Sequence, residues 1–235
     1  MGPCGARDVV LGERFRVTAA RRSLRTLLDV HCADLGACRQ CGHSDASVVP
    51  ILSEARSPKV MLVGQAPGKV ELDVRRPFAG RAGKTLFRWL ERAGLDEHEA
   101  RESIYISAIT RCYPGPSPTG RGDRVPSLRE RSECGSWLDE ELRLIRPQLI
   151  IPVGRLAIDR FLGPLPLENV VGRIHENRNQ DTLARVIPLP HPSGASSWPN
   201  VPANRVLLDA AIDLLRVEFQ RLCIGKPMSQ TRRTA

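Results

Sequence analysis

Four cysteines in this chain are spaced for metal chemistry. Cys38 and Cys41 form a C-x2-C pair, Cys112 stands at the end of an apolar run, and Cys134 lies inside a helical pattern. A C-x2-C turn points two sulfurs at one centre, and two more thiolates complete the set that zinc or a [4Fe–4S] cluster requires. Spacing alone leaves both metals open, because the second pair is far apart in sequence and closes only through tertiary structure. Cys4, Cys32 and Cys223 read as ordinary thiols, with Cys32 the one near enough in sequence to compete as a ligand. A thioredoxin-type redox pair fits poorly, since no strand precedes Cys38 and no helix begins there.

Two loops could carry chemistry beside the cysteines. Gly64-Gln65-Ala66-Pro67-Gly68 follows an apolar run, and a glycine-rich turn there lets backbone amides approach a ligand that a Cβ would exclude. Gly80 to Thr85 invites a phosphate-loop reading, but that motif needs glycine where Phe78 stands and a strand ending at the loop, so an ATPase fits poorly. Gly83-Lys84-Thr85 instead reads as a helix start able to hold a DNA phosphate, with Lys84 beside it. Pro190-His191-Pro192-Ser193-Gly194 places a histidine just beyond an apolar run. His31, His43, His98 and His175 have no such placement and read as surface or packing residues.

Positioning these residues requires a sheet. Lys59 to Val63, Ile104 to Ile109, Gln148 to Val153 and Arg185 to Leu189 read as buried strands. Helical patterns lie between or after them at Lys84 to Ala93, Arg129 to Ile145, Leu156 to Leu162 and Asn204 to Leu222. That order predicts an α/β fold, a largely parallel sheet covered on both faces. Ligands in such sheets bind beyond the carboxyl ends of strands, where the Gly64 loop, Cys112, Gly154 and His191 fall. Residues 1–20 and 224–235 read as loosely ordered tails around one domain spanning 21–223. Tyr113 to Pro126, rich in proline and glycine, reads as an unusually long loop.

Lys and Arg outnumber Asp and Glu by 35 to 26 over 235 residues, giving a net charge of +9. That balance favours a polyanionic partner such as nucleic acid. No apolar run reaches the roughly 18 residues of a membrane span, and the first residues lack a signal core, so a cytoplasmic monomer is expected. Seven cysteines in that setting argue for metal or catalytic use over a disulfide framework.

Taken in order, the Cys pair, the G-x-A-P-G loop, Arg76-Pro77-Phe78-x-Gly80-x-Ala82-Gly83, Arg111-Cys112, Cys134 and His191-Pro192-Ser193 resemble the iron–sulfur uracil-DNA glycosylases over roughly Cys38 to Leu215. The resemblance implies an α/β/α sandwich around a four-stranded parallel sheet and a [4Fe–4S] cluster held by Cys38, Cys41, Cys112 and Cys134. It also implies a pocket for a flipped-out base, with Gly64 and Ala66 in the water-binding loop, Phe78 stacking on the base, and His191 in the second catalytic motif. Physical chemistry agrees: an aromatic face recovers stacking lost on flipping, and a donor aimed at the base carbonyl stabilises charge developing as the glycosidic bond breaks. Ser193 and Gly194 suit a loop gripping phosphate through a hydroxyl and amides.

Three departures qualify the match. The family usually has glutamate where Gln65 stands, and an amide can orient water but cannot take its proton; Asp73 is the nearby acid that could substitute. Ala108 replaces an asparagine that reads uracil, leaving Ser107, Gln65 or a backbone amide to read the base. The long loop lacks the histidine of a covalently attaching subgroup, so no covalent capture is expected, while its Arg121 and Arg124 could contact phosphates. The reading is a DNA glycosylase acting on uracil or a related deaminated base; the Gln65 and Ala108 departures leave room for an iron–sulfur DNA-binding protein of the same fold without excision activity.

Overall fold

Apolar runs too short for helices form a sheet in the computed structural model, which describes residues 11–41, 47–55, 58–120, 122–179, 182–193 and 197–225. Its strands are β1 (Val60–Gly64), β2 (Ile104–Ala108), β3 (Leu149–Pro152), β4 (His175–Asn179) and β5 (Thr182–Val186), in the order β2-β1-β3-β5-β4. Four of them run parallel. The expected four-stranded parallel sheet therefore needs one correction: β4 adds a fifth strand, antiparallel to β5. Its sequence, His-Glu-Asn-Arg-Asn, carries no apolar alternation because it lies at an edge, where little is buried.

Alternation along β1 shows how the layers form. Val60 and Leu62 face one core with Ile104, Ile106, Leu149 and Ile151. That core is closed by helix α3 (Arg81–Arg92) through Leu86 and Leu90, and by α8 (Pro202–Arg221) through Leu208, Ile212, Leu215 and Phe219. Met61 and Val63 face the other core with Tyr105 and Ile150. There α1 (Leu11–Gly36) contributes Leu28, α5 (Leu128–Ile145) contributes Leu138 and Leu142, and α6 (Arg155–Leu162) contributes Ala157 and Phe161. The result is the three-layer α/β/α sandwich expected.

Helix α1 begins at Leu11, inside the stretch read from sequence as a tail. Short helices α2 (Lys69–Val74), α4 (Glu97–Ser103) and α7 (Leu167–Val170) complete the set. Ladder bonding of β5 continues past its last strand residue, since Ile187 N–H donates to Ile150 (3.0 Å) and Leu189 N–H to Pro152 (2.9 Å). This extension delivers His191 to the same end of the sheet as the Gly64 loop.

Candidate active site

A cleft of about 510 Å³ opens beyond the carboxyl ends of β1, β2 and β3, where a parallel sheet of this kind places its ligands. Gly64, Gln65, Ala66, Phe78, Ser107, Arg124, His191 and Ser193 all line it. Of the other residues singled out from sequence, Lys84 lies on the outer side of α3 in a separate surface hollow with Arg88 and Glu91. Asp73 is also off the cleft, exposed and paired with Lys69 at 2.8 Å. Arg121 and Gly194 lie outside the described residues.

Phe78 is the most elaborately positioned of these side chains. Its backbone adopts φ 51°, a left-handed conformation that bulky residues rarely take and that neighbours must hold in place. Arg101, 4% exposed, does so by donating to the carbonyls of Pro77 (2.8 Å) and Phe78 (3.3 Å) while its guanidinium stacks on Phe87 at 4.4 Å. Two glycines make room. A Cβ on Gly64 would meet the Phe78 ring at 2.9 Å, and one on Gly83 would overlap the Phe78 carbonyl. The ring therefore packs against the β1 end, one wall of the cleft.

His191 forms another wall. Gly154, at φ 84°, follows β3, and a Cβ there would meet His191 Cδ2 at 2.9 Å, so this glycine admits the imidazole. The Ser193 backbone N–H donates to Nδ1 at 3.2 Å, and the Ser193 hydroxyl sits 2.8 Å from the same nitrogen. A nitrogen that accepts from an amide carries no proton, so the ring proton sits on Nε2. Burial lowers the His191 pKa, which keeps the ring neutral. Ser193 thus fixes the tautomer of a neutral imidazole.

Glu71 and Glu141, which sequence reasoning passed over, and Arg111, noted there only as the neighbour of Cys112, organise the floor. Glu71 accepts backbone N–H bonds from Gly68 (3.0 Å) and Gly80 (2.9 Å), tying the glycine loop to the start of α3; its place three residues after Gly68 is capping-box spacing, a signal the sequence did contain. Glu141, fully buried on α5, accepts from Tyr105 (2.9 Å), Ser107 (2.9 Å), His31 (3.3 Å) and Arg111. Burial raises its pKa, but Arg111 and these donors outweigh that and hold it below the usual carboxylate range. The Ser107 hydroxyl therefore points inward, away from any base. Arg111, 2% exposed, lines the cleft at the other end of this network, with its Nε unpartnered. Arg124 is clamped on Glu130 at 2.7 and 2.6 Å, which holds that carboxylate down at about 2.

The cysteines share one neighbourhood beside this floor. Cys38 and Cys41 follow α1, Cys112 follows β2, and Cys134 is buried on α5. Burial, then Cys134 and Cys38 among the nearby anions, push Cys41 up to about 11; burial, then Cys134, Cys41 and Cys38, push Cys112 up to about 12. Each of the four thus lies in the field of the others. The Arg111 N–H donates to the Cys134 sulfur and Arg39 lies in the field of Cys112, as expected where thiolate charge must be offset. Cys32 sits apart, against the Tyr105 hydroxyl at 3.9 Å. None of the six described cysteines forms a disulfide, and among the described residues no group of three His, Cys, Asp or Glu is placed to hold a single metal ion.

A model of the uracil DNA glycosylase superfamily matches residues 51–216, which contain the whole cleft. The chain belongs to that superfamily. A type-4 uracil-DNA glycosylase of Archaeoglobus fulgidus is 29% identical over 181 residues, covering 74% of this chain and 85% of that protein. One of Thermotoga maritima is 32% identical over 104 residues, covering 44% of this chain and about half, 49%, of that protein. A type-5 uracil-DNA glycosylase of Pyrobaculum aerophilum is 30% identical over 169 residues, covering 67% and 70%. Among the described residues no helix is long and apolar enough to cross a membrane.

Proposed function

We propose that this superfamily member hydrolyses the N-glycosidic bond of uracil, or a related deaminated base, in DNA and leaves an abasic site. The observation that carries the reading is the neutral His191 with its proton fixed on Nε2 at the cleft wall. As the bond to the base breaks, negative charge grows on the pyrimidine and positive character on the sugar. A preorganised N–H donor already aimed where that charge develops stabilises it with no reorganisation at the moment of reaction. Phe78 offers its face to a base that has left the stack, worth about 1 to 3 kcal/mol. Basic side chains and the net charge of +9 supply the phosphate attraction that brings DNA to the cleft.

The same reading assigns Cys38, Cys41, Cys112 and Cys134 to a [4Fe–4S] cluster. An all-thiol donor set drawn from three distant segments, with cationic and N–H partners, fits such a group and would fasten α1, the β2 end and α5 together. Its contribution is structural. With Ala108 at the cleft and Ser107 turned inward, the base edge is left to the Gln65 amide and the backbone amides of the glycine loop. The test is incubation with oligonucleotides each carrying one uracil, hypoxanthine, xanthine or alkylated base, scored for alkali-labile sites. Cleavage at uracil or another deaminated base is the expected result; tight DNA binding with every base left intact would place the chain among binders that kept the fold and lost the chemistry.

A further inference from the structure

With glutamine at position 65 the glycosylase reading lacks a group to take the proton of water, and the cleft shows where one is. Among its described lining residues only Glu71 and Asp123 are carboxylates. Glu71 has each oxygen committed to a backbone N–H, at 3.0 and 2.9 Å. Asp123 has no such commitment. It sits on the long loop, which is closed on itself: Pro116 and Asp123 bridge, Ser117 N–H donates to Gly122 (2.9 Å), and Arg124 N–H donates to Gly115 (3.0 Å). The closure folds the Asp123 side chain back over the glycine loop, so a Cβ on Gly68 would lie 2.8 Å from Asp123 Oδ2. Burial, and then the nearby Asp123 carboxylate, raise the Tyr113 pKa, which sets that hydroxyl beside Asp123.

Resting on the glycosylase reading, we infer that Asp123 is the catalytic base, standing in for the carboxylate that Gln65 lacks. Gln65 orients a water on the Gly64–Gly68 loop, and Asp123 accepts a proton from it as the water oxygen bonds to C1′ of the sugar. The C1′–N bond breaks, its electron pair leaves on the base, and the His191 Nε2–H stabilises that anion, which then takes a proton from solvent. Cys112 directly precedes the loop and Cys134 follows it on α5, so a cluster held by the four cysteines would brace both ends of the segment that carries Asp123. Charged and titratable groups lining the same cleft are Lys69 and Glu71 from α2, Arg81 from α3, Arg111 from the β2 end, Arg124 next to Asp123 and His191 across the cleft.

Single-turnover excision, with its pH profile, and affinity for abasic-site DNA are measured for wild type, Asp123→Asn, and Asp123→Asn combined with Gln65→Glu. Asp123→Asn should lower the rate by about 10² or more, lose the fall in rate toward acid, and bind abasic DNA as wild type does. The added Gln65→Glu should restore rate and acid limb together, which a merely structural role for Asp123 would not allow. An active wild type with an indifferent Asp123→Asn overturns this assignment alone. A wild type that excises no base overturns the glycosylase reading and this assignment with it.

Discussion

Replacing Gly83 by alanine tests the construction of the stacking wall, and the outcome follows from two opposed terms. In an ordinary helix the change gains up to about 1 kcal/mol from backbone entropy. At Gly83 the new methyl overlaps the Phe78 carbonyl, which is backbone and cannot swing aside. Relief requires moving the Phe78 turn, which breaks the Arg101 bond to that carbonyl; a bond from a charged donor is worth about 1.5 to 3 kcal/mol, and Arg101 is too buried to find water instead. The net loss is about 0.5 to 2 kcal/mol, lowering Tm by roughly 1 to 8 °C for a chain of this size. Excision should fall further, because the displaced ring no longer meets the base and about 1 to 3 kcal/mol of stacking goes with it. Gly135, inside α5 with nothing within 4 Å of a built Cβ, is the control. Gly135→Ala should raise Tm by roughly 2 to 4 °C and leave the excision rate alone. Differential scanning calorimetry and single-turnover assays on both variants decide it, and a Gly83→Ala chain that is as stable and as fast as wild type refutes the reasoning.

Glu141→Gln removes the anion that pairs with buried Arg111 and should cost about 3 to 5 kcal/mol in a urea titration. Because burial depresses His191 below its ordinary 6.5, the folded chain binds fewer protons than the unfolded chain once the pH drops under that value; its stability contribution is present above 6.5 and is lost on acidification, and His191→Gln should flatten that part of the stability–pH curve. Anaerobically purified protein should be brown with about four irons per chain, and Cys38→Ala or Cys134→Ala should lower Tm well below that of Cys4→Ala; a colourless protein with stoichiometric zinc contradicts the cluster. DNA affinity should fall steeply with salt, as several phosphates are neutralised and counterions released.

β1, β2 and β3 were legible because each is a short run buried almost throughout, β5 only from Arg185 onward because Leu183 before it is half exposed, and four of the larger helices because their apolar residues recur at helical spacing. Helix α1 was partly obscured by Arg21, Arg22 and Arg25 around Leu24, and β4 by an edge position that demands no apolar residue. At the site, the cysteines, Phe78 and His191 stood out by type and spacing. Arg101, Arg111 and Glu141 did not, since a charged residue in sequence reads as surface, and only the tertiary pairing of Arg111 with Glu141 or of Arg101 with two carbonyls makes its burial possible. Asp73 drew notice for its nearness in sequence to the glycine loop, but the turn of α2 sends it outward and Glu71 inward. Asp123 reaches the cleft only because its loop closes back on itself, which no local pattern announces.

The most direct test of the account is the single-turnover rate of uracil excision from an oligonucleotide by wild type and His191→Ala, with abasic-site affinity measured alongside. Wild type should leave an alkali-labile site at the uracil. His191→Ala should do so about 10² to 10³ times more slowly while binding abasic DNA equally well, because the product lacks the charge the imidazole stabilises. A wild type that leaves uracil and every other deaminated base in place, or a His191→Ala chain that keeps the full rate, contradicts it.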